Sequence, residues 1–242
     1  MRLSRFYVSQ PLQPGRVELP DTTAHYISRV LRMQAGDALQ LFDGSGLEYP
    51  ATLVEVGKKN VVAELQPAIT GQPDSRLQVH LGQVLSRGER MDWAIQKATE
   101  LGVTAITPLF SDRCEVRLND ERSQKRLEHW QQVAISACEQ CGRSSVPVIH
   151  PPVALGQWLE AVEADLKLVL HPEAATLASH QPPARLALLI GPEGGLSDGE
   201  VSAAQAAGFH AACFGPRVLR TETAPVVALS LAQYLWGDFS KL

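Results

Sequence analysis

A glycine-rich segment in the C-terminal half of the sequence has the composition of a ligand-binding loop. Residues 190–197 read Ile-Gly-Pro-Glu-Gly-Gly-Leu-Ser and join an apolar strand predicted over 186–190 to a helix opened by a capping box at 197–200. Glycines at the carboxyl end of a buried strand let a ligand approach the backbone and leave N–H groups available to it. The segment matches neither a Walker loop nor the Gly-x-Gly-x-x-Gly pattern, so a phosphate site is not favoured. A tight turn without a ligand is the alternative.

A second segment, residues 214–225, places charged groups between two apolar elements. It reads Phe-Gly-Pro-Arg-Val-Leu-Arg-Thr-Glu-Thr-Ala-Pro. One interpretation is a helix cap, in which Thr221 or Thr223 caps the last helix and Glu222 interacts favourably with the helix dipole. The cap does not account for two arginines just ahead of a helix N-terminus, where the dipole disfavours cations. We therefore expect these arginines to meet an anion, such as an RNA phosphate.

A third segment ends a long predicted helix. Residues 139–143 read Glu-Gln-Cys-Gly-Arg, and the first and last of them are four apart, so a surface ion pair is the simplest interpretation. Cys138 and Cys141 form a Cys-x-x-Cys pair. One such pair cannot fill a tetrahedral zinc site, and its position at the end of a helix is unfavourable for redox chemistry. We expect no metal.

The elements that must position these segments alternate between strands and helices. Strands are predicted over 77–85, 105–110, 166–171, 186–190 and 211–214, and helices over 89–101, 120–141, 197–207 and 224–236. Continuous apolar strands are typical of a parallel sheet that is covered on both faces. The last helix is apolar nearly all round, which indicates deep burial or a subunit interface. This part of the chain is predicted to be an α/β domain.

The first seventy residues have a different pattern. Short runs of β-forming residues, separated by turn signals, cover 17–19, 38–42, 49–56 and 60–65, with one or two helical turns over 25–33. Strands at this spacing suggest a small barrel. We predict a β domain over 1–70, a linker over 71–75 and the α/β domain over 76–242.

The overall charge of the chain limits the ways in which it can bind nucleic acid. The net charge is −4, which argues against bulk electrostatic coating of nucleic acid. Residues 1–70 hold seven basic and seven acidic side chains, so the acidic excess lies in the α/β domain. The basic residues near the start of the chain are either solvated or form a phosphate-contacting patch, which we favour: Arg2, Arg5, Arg29 and Arg32.

The N-terminal residues lack the apolar core of a secretory signal, and the longest apolar stretch, 224–236, is too short to cross a bilayer. Four cysteines in 242 residues do not make a disulfide framework. We expect a cytoplasmic protein that does not enter membranes.

Taken together, the three segments resemble the RsmE family of bacterial 16S ribosomal RNA uridine N3-methyltransferases, which belong to the SPOUT superfamily. Residues 99–103 (Thr-Glu-Leu-Gly-Val) are similar to the helix-to-strand stretch of that family. Near the N-terminus, residues 5–8, 25–26, 29–32 and 42–44 are similar to its PUA-like RNA-binding barrel. The resemblance covers essentially the whole chain.

The resemblance implies an α/β trefoil knot, S-adenosylmethionine bound in that knot, a homodimer, and a substrate in 16S ribosomal RNA of the small subunit. It implies cofactor-binding residues in three loops at strand ends: Leu170, His171, Pro172, Ile190, Gly191, Pro192, Glu193, Gly194, Gly195, Phe214, Gly215, Val218, Leu219, Arg220, Thr221, Thr223 and Ala224. The expected catalytic residues are Arg220, Glu222, Glu139 and Arg143. The expected RNA-binding residues are Arg2, Arg5, Arg29, Arg32, Gln140, Arg143 and Arg217.

The implied reaction sets requirements on the side chains. N3 of uracil is protonated at neutral pH and lies on the pairing edge, so the target base must be unpaired or flipped out. Arg220 is suited to stabilise negative charge on the uracil oxygens, and Glu222 to act as the base or to orient Arg220. Two alternatives are a non-catalytic RNA-binding or ribosome-assembly factor with this fold, and a SPOUT enzyme that acts on another RNA position, such as a ribose 2′-hydroxyl.

Overall fold

The computed structural model describes residues 3–57, 60–171, 174 and 181–239. The chain divides into two compact units. The first consists of Met1–Asp74 together with Ile135–Val146, and the second of Ser75–Ala134 together with Pro147–Leu242. The predicted domain limits at 70 and 76 place residues 135–146 in the α/β domain, whereas the structure groups them with the N-terminal residues.

The first unit is built on a mainly antiparallel sheet. Its strand order is β1-β3-β4-β5-β2, with β6 paired to β4 and β1 parallel to β3. The inward face is apolar because strand residues alternate between buried and exposed, as in β5, where Val61 and Ala63 are fully buried. The elements are β1 (Ser4–Tyr7), β2 (Gly15–Glu18), α1 (Asp21–His25), β3 (Ala38–Phe42), β4 (Leu47–Val56), β5 (Val61–Leu65) and β6 (Ile69–Thr70).

The helical segment of this unit differs from the turns predicted over 25–33. Helix α1 ends at His25, and one turn of π-helix follows directly over Tyr26–Val30. Two residues later, Arg32 adopts a left-handed backbone with φ of 54°. Single π-helical turns are rare and occur frequently at functional sites.

The second unit is built on a fully parallel sheet in the order β10-β8-β7-β12-β11-β13, with β9 paired to β8. The central strands β7 and β12 are almost entirely buried, as expected for a sheet covered on both faces. The elements are β7 (Gln78–Val84), α2 (Arg90–Glu100), β8 (Ala105–Phe110), α3 (Asp120–Cys141, whose residues from Ile135 onward belong to the first unit), β9 (Val148–Ile149), β10 (Val153–Ala154), α4 (Leu155–Ala161), β11 (Leu166–Leu170), β12 (Arg185–Ile190), α5 (Asp198–Ala206), β13 (His210–Ala212) and α6 (Thr223–Trp236).

One residue without a side chain sets the packing of α4 against the sheet. A Cβ at Gly82 in β7 would lie 2.6 Å from the Trp158 ring, so only glycine allows this contact. The Trp158 indole donates to His80 Nε2 at 3.4 Å, and Thr107 Oγ1 lies 2.8 Å from the same nitrogen. Burial, and secondarily the neighbouring His150, lowers the pKa of His80 to about 4. His80 is therefore neutral at physiological pH.

The predicted fold class, a parallel α/β domain and a small N-terminal β domain, is confirmed by this architecture. Short elements β9, β10 and α4 were not predicted from the sequence. The trefoil knot stays a prediction. Across the described residues, none of the helices combines the length and apolarity needed to cross a membrane.

Candidate functional site

The carboxyl ends of four neighbouring strands collect the predicted cofactor loops. Strands β7, β12, β11 and β13 lie side by side and run parallel, so the segments that follow them emerge at one edge of the sheet. The glycine-rich segment follows β12, and residues 213–222 follow β13. In open α/β sheets, ligands bind outside this edge, near the point where the strand order reverses.

The turn over 191–196 is held in one conformation by its glycines and by the next helix. Gly195 has φ of 68° and donates its N–H to the Pro192 carbonyl at 2.9 Å. A Cβ at Gly191 would lie 3.2 Å from the backbone nitrogen of Leu196, so a larger residue would strain the turn. The capping box at Ser197 is confirmed, since the Ser197 and Glu200 side chains each bond the other residue's backbone N–H.

Thr221 ties the second loop to the first. The Thr221 hydroxyl donates to the Gly191 carbonyl at 2.8 Å and accepts from Gln83 Nε2 at 3.1 Å. Gln83 is only 1% exposed, and within the described residues its Oε1 is buried without a partner. The alternative prediction that Thr221 or Thr223 caps α6 is wrong, because Glu222 occupies the N-cap position and no side chain caps the helix.

Arg220 and Glu222 of this loop occupy different environments. Arg220 is exposed, and its guanidinium makes no hydrogen bond or ion pair to the described residues. The Glu222 side chain is 16% exposed, and its Oε2 is buried with no hydrogen-bond partner in the described part of the chain. Its nearest cation is Arg90, whose Nε lies 3.9 Å from that oxygen. Among the described residues, the Arg220 guanidinium therefore has no partner and Glu222 Oε2 has no hydrogen-bond donor.

Two arginines that the sequence patterns did not single out hold the glycine turn. Arg90 Nη1 donates to Glu193 Oε1 at 2.7 Å, and Arg113 Nη1 donates to the carbonyls of Gly194 and Leu196 at 3.0 and 3.3 Å. Although partial burial opposes it, hydrogen bonds from the backbone N–H of Glu193 itself, from the Arg90 side chain and from the backbone N–H of Arg87 lower the pKa of Glu193. Both arginines follow the carboxyl ends of strands, which is the signal that could have found them.

The remaining predicted cofactor residues lie on the same loops. The N–H of His171 donates to the Ala212 carbonyl at 3.0 Å, so the end of β11 stays paired beyond the strand. Val218 is 81% exposed. Pro172 and Arg2 lie outside the described residues. The other predicted positions are Leu170 (half-buried, ending β11), Ile190 (buried, ending β12), and Phe214, Gly215, Leu219, Thr223 and Ala224 on the segment after β13 and the start of α6.

In the first unit, a buried ion pair and its hydrogen bonds connect two predicted site residues, Arg5 and Arg143. Arg5 Nη1 lies 2.7 Å from Glu48 Oε1, and the two side chains are 9% and 11% exposed. Arg5 Nη2 also donates to the Arg143 carbonyl and to Ser144 Oγ, both at 3.2 Å. Ser144 Oγ and Gln40 Nε2 donate to the same Glu48 carboxylate. The Arg5 guanidinium is therefore buried and hydrogen-bonded within the first unit, and it is not available to an RNA phosphate.

Glu139 and Arg143 also make contacts within this unit. The Tyr7 N–H donates to Glu139 Oε1 at 3.0 Å, and burial raises the pKa of this carboxyl against the opposing effects of that bond and of Arg5. Arg143 Nη2 donates to Asp74 Oδ1 at 3.3 Å. Gln140 is exposed. These contacts give Glu139 and Arg143 a part in holding the fold, and their catalytic roles stay predictions.

Arg29 lies in the π-helical turn, and Arg32 follows the turn by two residues. They line an open groove of about 530 Å³. Neither guanidinium makes a hydrogen bond or an ion pair to the described residues. The rest of the lining combines polar and apolar residues: Ser28, Met33, Gln34, Val56 and Gly57.

The four cysteines are free thiols. Burial is the main cause that raises the pKa of Cys138 to about 12, so this thiol stays protonated. No group of three metal-ligating side chains occurs among the residues that the structure describes.

Two family models match this chain. A family model described as an RNA methyltransferase domain matches residues 73–233, and one described as an RNA methyltransferase PUA domain matches residues 19–66. A protein named ribosomal RNA small subunit methyltransferase E, from Buchnera aphidicola of Schizaphis graminum, is 36% identical over 99% of both chains. The chain belongs to the ribosomal RNA small subunit methyltransferase E family. The family member from Bacillus subtilis is 32% identical, over 87% of this chain and 86% of its own.

Solved structures of similar proteins extend the comparison. A methyltransferase from Legionella pneumophila, solved in complex with the bound cofactor S-adenosylmethionine, is 42% identical with a TM-score of 0.95, over 99% of this chain and 100% of that one. A ribosomal RNA small subunit methyltransferase E from Neisseria gonorrhoeae, bound to S-adenosylmethionine, is 40% identical with a TM-score of 0.92, over 98% and 100%. The fold of the whole chain is therefore that of this family.

Proposed function

We propose that this protein is an S-adenosylmethionine-dependent methyltransferase that methylates N3 of one uridine in the 16S ribosomal RNA of the small subunit, in the cytoplasm. The observation that carries the proposal is the joined pair of loops at the carboxyl edge of the parallel sheet, where Thr221 bonds the glycine turn and Glu222 keeps an oxygen unsatisfied. Family membership and relatives solved with the cofactor support the same reading.

The residues at this edge fit the chemistry of the cofactor. Buried acceptors without donors are costly, so Gln83 Oε1 and Glu222 Oε2 favour a ligand that brings hydrogen-bond donors. S-adenosylmethionine carries amino and hydroxyl donors and a positive sulfonium, which suit an edge rich in acceptors. The glycine turn offers backbone groups that a flat ring can approach. We propose that the residues at 190–195 and 218–224 hold the cofactor.

When bound, S-adenosylmethionine supplies an electrophilic methyl group. The task of the chain is to orient the uracil and to accept the N3 proton. We assign stabilisation of negative charge on the uracil oxygens to Arg220, because its guanidinium is exposed and unpaired among the described residues. We assign the proton to Glu222, whose unpartnered oxygen retains lone pairs for it.

We propose that the groove lined by Arg29 and Arg32 contacts RNA phosphates, with Gln140 and Arg217 as further contacts. Two unpaired guanidiniums beside an open groove suit an anionic backbone, and each neutralised phosphate steepens the salt dependence of binding. In the Arg29→Gln/Arg32→Gln variant, the slope of log affinity against log salt should fall by about two. Arg16 lies in an exposed ion pair with Glu64. The Arg16→Gln variant is therefore the matched control, and it should leave the slope unchanged.

The homodimer is part of the proposal. Helix α6 presents large apolar side chains to solvent, with Leu231 38%, Tyr234 61% and Leu235 51% exposed. Exposed apolar clusters of this kind mark interaction surfaces, so a second copy is expected to cover them. Light scattering coupled to size exclusion should give twice the monomer mass. A mass equal to that of one chain would contradict the proposed homodimer.

The deciding experiment supplies small ribosomal subunits that lack the modification, with methyl-labelled cofactor, and identifies the product by nucleoside mass spectrometry. We expect 3-methyluridine at one position, and loss of product in Arg220→Ala. Methylation of a ribose 2′-hydroxyl would identify the enzyme as one that acts on another position. Absence of both product and calorimetric cofactor binding would favour a non-catalytic ribosome-assembly factor.

A further inference from the structure

Arg90 connects two carboxylates that lie on different loops. It is the first residue of α2, directly after the loop that leaves β7. Its Nη1 donates to Glu193 Oε1 at 2.7 Å, and its Nε lies 3.9 Å from Glu222 Oε2. Glu193 belongs to the glycine turn, and Glu222 precedes α6. One guanidinium therefore reaches both the turn proposed to hold the cofactor and the carboxylate proposed to accept a proton.

The two contacts differ in kind. The contact to Glu193 is a short, charge-assisted hydrogen bond that fixes the turn. The contact to Glu222 is too long for a hydrogen bond, so it supplies positive charge without occupying a lone pair of Oε2. A buried carboxylate oxygen with no donor is otherwise unfavourable. The cation stabilises this carboxylate and leaves its oxygen open to a proton.

We propose that Arg90 is a positioning residue that couples the cofactor turn to the proton acceptor. Through Glu193 it holds the 191–196 turn in its binding conformation. Through its charge it holds the Glu222 carboxylate in place to accept the N3 proton, while N3 gains the methyl group and the sulfur–methyl bond of the cofactor breaks. This inference rests on the function proposed above. In this proposal Arg90 acts through these two carboxylates and not on the reacting atoms directly.

Arg113 provides a matched comparison. It holds the same turn through the carbonyls of Gly194 and Leu196, and its hydrogen bonds go to neither Glu193 nor Glu222. If an arginine here serves only the shape of the turn, Arg90 and Arg113 should be equivalent. If Arg90 also acts on Glu222, only its loss should slow the reaction when cofactor and RNA are saturating. The two variants separate a binding role from a role in the chemical step.

The first test measures cofactor affinity by calorimetry and the single-turnover rate at saturating cofactor and RNA. Arg90→Gln should weaken cofactor binding by about tenfold, the loss of one charge-assisted hydrogen bond, and should slow the saturated rate by about tenfold. Arg113→Gln should weaken binding similarly and leave the saturated rate within about twofold. Arg90→Lys should restore most of the rate, because the charge beside Glu222 is kept, but less of the affinity. Equal saturated rates in Arg90→Gln and Arg113→Gln would overturn the proposal.

The second test needs no turnover. Arg90→Gln, Glu193→Gln and the double variant form a cycle in calorimetric cofactor affinity. We expect the second substitution to add less than about twofold, since both remove the same contact. Fully additive losses would contradict the coupling, and circular dichroism verifies that each variant is folded. If the wild-type protein neither binds the cofactor nor methylates RNA, the proposed function fails. If it does both and the cycle is additive, only the role of Arg90 fails.

Discussion

The Thr221 hydroxyl offers the sharpest test of how the two loops are joined. Replacing Thr221 by Val keeps the shape of a side chain that is only 6% exposed, and removes its hydrogen bonds to Gly191 and Gln83. Each neutral hydrogen bond contributes about 1 kcal/mol, and a stranded buried group costs about 1–3 kcal/mol. Gln83 Nε2 keeps a bond to the Val84 carbonyl, and Gly191 is only half-buried, so the penalty lies at the low end. We expect the free energy of unfolding to fall by about 2 kcal/mol.

Urea unfolding measures this loss, and Thr221→Ser is the control. Serine keeps the hydroxyl and gives up one methyl group, which is worth about 0.8 kcal/mol. In a Gln83→Met background, Thr221→Val should lower the free energy of unfolding by less than it does in the wild-type protein. The reason is that the Gln83 amide, which would otherwise lose its acceptor, is absent. Calorimetry should show weaker cofactor binding in Thr221→Val and near-normal binding in Thr221→Ser. If Val costs no more than Ser, the hydroxyl does not join the loops and the reasoning is refuted.

Three further predictions concern stability. Glu48→Gln leaves the buried Arg5 guanidinium without its anion and should lower the free energy of unfolding in urea by about 3 kcal/mol. Glu64→Gln, in an exposed ion pair, should change the free energy of unfolding by less than about 0.5 kcal/mol. Equal losses in the two variants would contradict the argument from burial. Burial lowers the pKa of His80 from 6.5 to about 4, so the unfolded chain binds more protons between these values. The free energy of unfolding should therefore rise by about 3 kcal/mol as pH increases through this window, and a pH series on His80→Gln should lose that rise. Ser197→Ala removes the capping box of α5 and should cost about 1 kcal/mol, against no change for an exposed serine elsewhere.

The features that the sequence predicted well depend on residues close together in the chain. The long helix α3 has the predicted limits, and the capping box at Ser197 forms as its spacing requires. The glycine turn lies at the carboxyl end of a buried strand because the strand is a continuous apolar run. Local patterns of this kind are complete within about a dozen residues.

The features that the sequence did not predict depend on distant partners. Arg90 and Glu193 are 103 residues apart, and Arg113 and Gly194 are 81 apart, so no local pattern connects them. The two-residue strands β9 and β10 exist because β8 pairs with them. The sequence alone places Arg5 among the N-terminal arginines expected to bind phosphate, because its partner Glu48 lies on another strand. Side-chain partners of this kind are brought together by the order in which the strands pair. That order cannot be predicted from composition or from local sequence patterns.

The discontinuous make-up of the first unit has a consequence for how the chain is synthesised. Arg5 bonds Ser144, 139 residues later, and Glu48 bonds the same serine. While a ribosome is still making the chain, Arg5 and Glu48 can meet each other, but the hydroxyl and the carbonyl that complete their network have not yet been translated. The N-terminal unit therefore finishes folding only after more than half of the protein has emerged. A gene fragment that stops at residue 74 would encode a β domain with this polar centre left incomplete.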